Sequence, residues 1–143
     1  VKVRDIMSSH VKTVSTNANI QEVSNEMRSL DVGSIPVCDQ KDVPVGIITD
    51  RDIVIRGISQ GVSLNTPVGD IMSLNIISVS PETDVNEAAK IMSQNQIRRL
   101  PVVENGKIVG IVALGDLAIR DKHVDEAGSA LSSISENSPF TPY

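Results

Sequence analysis

The sequence contains no tryptophan, one phenylalanine and one tyrosine, and both rings, Phe140 and Tyr143, fall in its last four residues. Any flat ligand ring must therefore be held by aliphatic side chains and backbone groups. The aromatic stacking platform typical of single-strand nucleic-acid binders is missing. A single cysteine, Cys38, rules out an internal disulfide and a multi-cysteine zinc site; a lone cysteine reads first as a small core residue. Positive charge is scarce as well. Thirteen Lys and Arg against 18 Asp and Glu leave a net charge of −5, which argues against nucleic acid as a partner but leaves a local cationic site open. No apolar run approaches the roughly 18 residues of a membrane span. The opening VKVRDIMSSH lacks a signal-peptide apolar region, so no membrane association and a cytoplasmic location are expected.

Signs of catalysis are also wanting. The two histidines, His10 and His123, stand apart from any Cys or carboxylate pattern of zinc ligation and are expected on the surface. The serine-hydrolase elbow, the zinc-protease HExxH pattern and the Walker phosphate loop are all absent. A non-enzyme is expected, with no catalytic residue, no metal and no required cofactor.

What is present is a soluble, globular composition over 143 residues, 40% hydrophobic and 22% charged, long enough for a substantial core. It is also a repeat. RDIM at Arg4–Met7 returns as GDIM at Gly69–Met72, with Asp70 lying 65 residues beyond Asp5. The same offset carries Val14-Ser15 onto Val79-Ser80, Met27 onto Met92, and Ile35-Pro36-Val37 onto Leu100-Pro101-Val102. After one deletion Val45-Gly46-Ile47 meets Val109-Gly110-Ile111, Asp52-Ile53 meets Asp116-Leu117, and Ile55-Arg56 meets Ile119-Arg120. The recurring Met7, Met27, Met72 and Met92 read as core fillers.

Each copy predicts strand, helix, strand, strand, helix, an α/β (α+β) fold. In the first, strands are expected at 11–15, 34–38 and 45–49, with a turn at 39–42 between the last two. A helix over 19–30 presents Ile20, Val23, Met27 and Leu30 on one face, and another runs from Asp50 to about Ile58. In the second, Val85, Ala88, Ala89 and Met92 line a helix, and Glu104-Asn105-Gly106-Lys107 forms a hairpin turn. The boundaries are a first repeat over 1–58, a linker over 59–66, a second repeat over 67–122 and a partly flexible C-terminal extension over 123–143. Within that extension, 124–131 suit another helical turn or two, and a frayed tail is expected from Ser132. A unit of about 60 residues is marginal alone, so the copies are expected to pack about a pseudo-twofold axis with ligand clefts between them.

Gly46-Ile47-Ile48-Thr49-Asp50-Arg51-Asp52 sits where a strand turns into a helix, and it admits two readings. Thr49 and Asp52 have the spacing of a capping box, which needs no ligand. Equally, backbone N–H groups and a hydroxyl at a helix start suit a phosphate, and a carboxylate one turn on suits a ribose diol. In the second copy the hydroxyl is replaced by Ala113 while Asp116 remains. A capping carboxylate without its cap has less reason to persist, which adds weight to ribose binding. Arg98-Arg99, before the second hydrophobic-Pro-Val strand, replace Gly33-Ser34 of the first. They suit either solvated ion pairs or bidentate anion binding.

The paired DIM openings, the paired IPV and LPV strands and the GIITDRD stretch together resemble a tandem pair of CBS domains, a Bateman module, over about residues 1–122. The closing GIVALGDLAIRDKHVDEAGSAL is similar to that of small stand-alone bacterial members. The resemblance implies a regulatory module binding AMP, ADP, ATP or S-adenosylmethionine between the repeats, frequent homodimerisation, and an unidentified effector protein as downstream partner. Carried over residue by residue, one site would use Thr49, Arg51 and Asp52, with Ile47, Ile76 and Ile77 around the ring and Arg98 and Arg99 on the phosphates. A weaker site would use Asp116 and Ile111 with Val11, Lys12, Gly33 and Ser34; Ala113 departs from the family pattern there. The first site is expected to bind a phosphorylated adenosine and the second to be weak or empty. The alternative is a structural interaction module with vestigial sites.

Overall fold

The computed structural model describes residues 1–118. The C-terminal extension, the turns expected at 124–131, His123, Phe140, Tyr143 and the last residues of the second repeat lie outside the described residues. The chain divides into a mid-chain unit, Lys12–Ile76, and a split unit made of Val1–Val11 and the chain from Ile77 onward. These units are offset from the sequence repeats. Each holds the body of one repeat and the opening segment of the other.

The mid-chain unit begins with β1 (Val14–Ser15) and α1 (Ile20–Leu30). β2 (Ser34–Cys38), β3 (Pro44–Thr49) and α2 (Asp50–Asp52) follow. The sheet order is β1-β2-β3, with β1 parallel and β3 antiparallel to β2. Helical spacing buries Ile20, Val23 and Met27 on one face of α1. Asn19 caps its start by accepting from Glu22 N–H at 2.9 Å. Leu30, expected on the same face, is 45% exposed. β1 is shorter than the expected 11–15, because only Val14 and Ser15 find partners, Val37 and Cys38. The helix expected over 50–58 forms, but after Asp52 it widens into a π turn over Ile53–Gly57 and ends in a tighter turn over Ile58–Gln60.

The split unit contains α3 (Val85–Asn95), β4 (Arg99–Glu104), β5 (Lys107–Ala113) and α4 (Leu114–Ala118). β4 and β5 pair antiparallel through the expected hairpin, whose Asn105 and Gly106 both take positive φ, 54° and 78°. Val85, Ala88, Ala89 and Met92 are all buried. Fine details recur between the repeats. Val14 pairs parallel with Val37, and Val79 with Val102. A bulge follows Val37 in one ladder and Val102 in the other. Asp31 and Gln96 end their helices in the left-handed region.

The opening segments complete the two cores. Val68 and Ile71 are buried with Ile20, Ile35 and Ile48 in the mid-chain unit, and Val3 is buried with Leu100 and Val102 in the split unit. Each segment then bridges to its unit's strand. Ser73 exchanges backbone N–H···O bonds of 2.9 Å with Ile47, and Ser8 exchanges bonds of 2.8 and 2.9 Å with Ile111. The preceding methionine lies against a glycine. A Cβ at Gly46 would sit 2.5 Å from Met72 Sδ and 2.9 Å from the Ser73 carbonyl oxygen; one at Gly110 would sit 2.6 Å from Met7 Sδ and 3.0 Å from the Ser8 oxygen. Met27 and Met92 are buried, and Met7 and Met72 pack half-buried against the cores.

Gly46→Ala and Gly110→Ala are each expected to destabilise the fold by about 1–3 kcal/mol, the usual cost of overpacking, in denaturant melts; an unchanged midpoint would contradict this packing. Cys38 is buried. Burial pushes its thiol pKa up, Asp42 and then Asp39 add to the rise, and a hydrogen bond with Thr13 opposes it. Thiol reagents at mildly alkaline pH should therefore label the native protein slowly, with the rate tracking unfolding. Labelling as fast as free cysteine would contradict both the burial and the shift.

Candidate functional site

β3 runs into α2 at Thr49, whose extended backbone (φ −113°, ψ 160°) turns the chain into the helix. The capping box is formed in full. Thr49 Oγ1 accepts from Asp52 N–H at 3.0 Å, and Asp52 Oδ2 accepts from Thr49 N–H at 3.1 Å. Asp52 is only 8% exposed, the one charged residue so deeply buried among those described. Its other partners are distant. Ser73 Oγ donates a shared bond at 3.2 Å to both carboxylate oxygens, and Arg56 Nε lies 3.9 Å from Oδ1. Hydroxyl bonds to oxygen usually fall near 2.7–2.8 Å, so both legs are long. A carboxylate offers about four lone-pair positions, and this one is only partly satisfied.

The mid-chain unit brings Gly33 and Ser34 to this corner. Ser34 pairs with Thr49 across the sheet, and the Gly33 carbonyl accepts from Asp50 N–H at 2.9 Å. A Cβ at Gly33 would lie 3.0 Å from Asp50 Oδ2, which keeps the position small. Ile47 is half-buried beside Ser73, Ile76 is half-buried, and Arg51 is exposed. Lys12 is exposed, 3.6 Å from Glu26.

The corresponding corner of the split unit joins β5 to α4. Asp116 Oδ2 accepts from Ala113 N–H at 2.8 Å. The carboxylate therefore keeps its half of the capping box without a capping hydroxyl. This removes the sequence argument that Asp116 has little structural reason to persist. Arg99 pairs with Ala113 across the ladder, and the Arg98 carbonyl accepts from Leu114 N–H at 2.8 Å. Neither arginine forms an ion pair among the described residues. Ile111 is buried, while Val11 and Ile77 are half-buried.

Within the units, then, Arg98 and Arg99 accompany Ala113 and Asp116, and Gly33 and Ser34 accompany Thr49 and Asp52. The grouping expected from the sequence joins Arg98 and Arg99 of the split unit with Thr49 of the mid-chain unit. Sequence reasoning also missed Ser73 and Arg56, the side chains that reach Asp52. Ser73 follows the repeated DIM, but no local pattern links it to a residue 21 positions earlier. Among the described residues no three His, Cys, Asp or Glu side chains form a cluster able to hold a metal ion, His10 is exposed, and no helix is long and apolar enough to cross a membrane.

The CBS domain family model matches this chain twice, at residues 3–57 and 68–122. CBS domain-containing protein YhcV of Bacillus subtilis is 47% identical over 133 residues, covering 93% of this chain and 94% of the relative. Hypoxic Response Protein I, crystallised with two coordinated zinc ions, superposes with a TM-score of 0.77 at 34% identity over 84% of this chain and 98% of that one; the protein of that name belongs to Mycobacterium tuberculosis. The CBS domain pair of protein MJ0100, in complex with 5-methylthioadenosine and S-adenosyl-L-methionine, gives 0.72 at 29% over 83% and 94%. CBSX2 in complex with AMP gives 0.74 at 25% over 87% and 98%.

Thr49→Ala removes the hydroxyl acceptor at the helix start. It should cost about 1 kcal/mol of stability, within the 0.5–2 kcal/mol range for lost caps. An unchanged denaturation midpoint would show that the cap is not structural.

Proposed function

The chain belongs to the CBS-domain family, and from that membership we propose that it is a non-catalytic regulatory module binding adenosine-containing small molecules at its two strand-to-helix corners. The observation that carries the reading is Asp52, a buried carboxylate whose hydroxyl and guanidinium partners are long. A ribose diol supplies two hydroxyl donors, which such a carboxylate lacks. Asp116 occupies the matching position at the other corner and keeps the same backbone contact. The complexes of MJ0100 with methylthioadenosine and S-adenosylmethionine and of CBSX2 with AMP support the ligand class.

The two corners differ in their side chains, and unequal binding at the two is part of the proposal. Arg98 and Arg99 stand at the Asp116 corner, where they suit a phosphorylated ligand. Thr49 and Ser34 give the Asp52 corner its hydroxyls, and Arg56 is the cation beside its carboxylate. The half-buried Ile47, Ile76, Ile77 and Val11 and the buried Ile111 supply aliphatic surface for a ring. Lys12 and Arg51 add exposed cations. Val54, Ile55 and Ile58 lie exposed along one helical stretch, a surface consistent with homodimerisation or an effector protein.

A second reading has its own observation. The capping box at Thr49 and Asp52 is complete without any ligand, as in a structural module with vestigial sites. Titration calorimetry with AMP, ADP, ATP and methylthioadenosine separates the two. Asp52→Asn and Asp116→Asn should each weaken binding by about 1.5–3 kcal/mol, the worth of hydrogen bonds to a charged group. Arg99→Ala should weaken the nucleotides more than methylthioadenosine. A ligand at 100 times its Kd should also raise stability by about 2.7 kcal/mol. No binding and no shift in melting with any of these compounds would establish the structural reading instead.

A further inference from the structure

We infer that Ser73 is an internal stand-in for ligand at Asp52: its hydroxyl occupies the carboxylate when the site is empty and must leave it when a ribose diol binds. The inference rests on the proposed binding of adenosine compounds at this corner and adds a residue that sets affinity there.

The geometry points to a replaceable contact. One hydroxyl proton is shared between Asp52 Oδ1 and Oδ2, with both distances at 3.2 Å. A vicinal diol has two protons and can satisfy both oxygens at normal length. The exchange therefore replaces one long, divided bond by two full ones. Asp52 itself is pinned and cannot turn away to serve both. Oδ2 is tied to Thr49 N–H at 3.1 Å, and the carboxylate belongs to a capping box at the head of a short helix.

Ser73 is held in place by its backbone rather than by its side chain. Its N–H and carbonyl are both bonded to Ile47 at 2.9 Å. Met72 packs over Gly46 just before it. Arg56 reaches the carbonyls of Ile71 and Met72 at 3.4 and 3.2 Å and lies 3.9 Å from Asp52 Oδ1. The hydroxyl can rotate off Asp52 while the backbone bridge persists. A loop serine would lack that anchoring, and its release would cost order elsewhere.

The second repeat serves as an internal control. Ser8 makes the same backbone bridge to Ile111 that Ser73 makes to Ile47. Its hydroxyl forms no hydrogen bond to Asp116, whose described contact is Ala113 N–H. The stand-in is thus particular to the Asp52 corner, and the two sites differ in what a ligand must displace.

The test is affinity measured by calorimetry on the full chain. Ser73→Ala and Ser73→Cys, the second keeping the volume with only a weak donor, should bind AMP or methylthioadenosine about threefold to tenfold more tightly at the Asp52 site, the worth of one typical hydrogen bond. Ser73→Thr should bind like the wild type. Ser8→Ala should leave the Asp52 site unchanged. For 2′-deoxyadenosine compounds, which lack half of the diol, the gain should shrink. A serine that only braces the fold would lower stability and leave affinity unchanged or weaker, and that result overturns the inference. If binding depends on Asp52 yet Ser73→Ala and Ser73→Cys do not tighten it, the stand-in alone falls. If the wild type binds no adenosine compound, the site reading falls and takes the stand-in with it.

Discussion

Each unit depends on a methionine laid against a strand glycine. At Gly46 and at Gly110 the absent Cβ is the space that Met72 and Met7 occupy. The backbone of the next residue then bonds to the strand at Ile47 or Ile111. This contact brings Val68 and Ile71 into one core and Val3 into the other. Neither repeat body buries its apolar surface unaided. The hydrophobic term favours burial of any available apolar segment, and here that segment comes from the other copy. The repeat visible in the sequence is therefore not the folding unit, and a cut in the linker at 59–66 would take a core segment from both units.

The same arrangement reconciles the two readings of the strand-to-helix corner. Capping uses a lone pair of Thr49 Oγ1 to accept from Asp52 N–H. Its hydroxyl proton remains available to a ligand oxygen. Likewise Asp52 spends one acceptor position on Thr49 N–H and shares the rest among long contacts. Helix initiation and ligand recognition draw on different atoms of the same side chains. The carboxylate at Asp116 shows the structural half, bonded to Ala113 N–H. Persistence of an aspartate through both copies is thus explained by backbone satisfaction before any ligand is invoked.

Much of the fold was legible because it is local. The spacing of Ile20, Val23 and Met27 and the Asn105-Gly106 turn each depend on a few neighbouring residues. β2 falls where its apolar run and flanking polar residues place it. Features that depend on partners distant in sequence were not legible. The two-residue β1 is set by its register against Val37 and Cys38. The π turn after Asp52 has no signature in residues 53–57. The pairing of Arg99 with Ala113 comes from the register of the hairpin. Ser73 escaped notice because its role exists only once the second opening segment lies on the first repeat's strand.

The Asp52 contact also bounds how strong a sensor this corner can be. A ligand shifts a conformational equilibrium only by its difference in affinity for the two states. If the difference at this corner is the single Ser73 bond, it is worth about 1 kcal/mol, roughly a fivefold shift in population. A near-complete switch needs about 5.5 kcal/mol. One such exchange therefore grades the state of the Met72–Ser73 segment rather than toggling it. A sharper response requires further contacts that form in only one state, and Arg56, which touches both Asp52 and the Ile71–Met72 carbonyls, is placed to supply one. A guanidinium whose hold on those carbonyls differs between the empty and the occupied site would add to that difference in affinity. The segment would then stay anchored while its side chains exchange partners, which is the behaviour its paired backbone bonds to Ile47 favour.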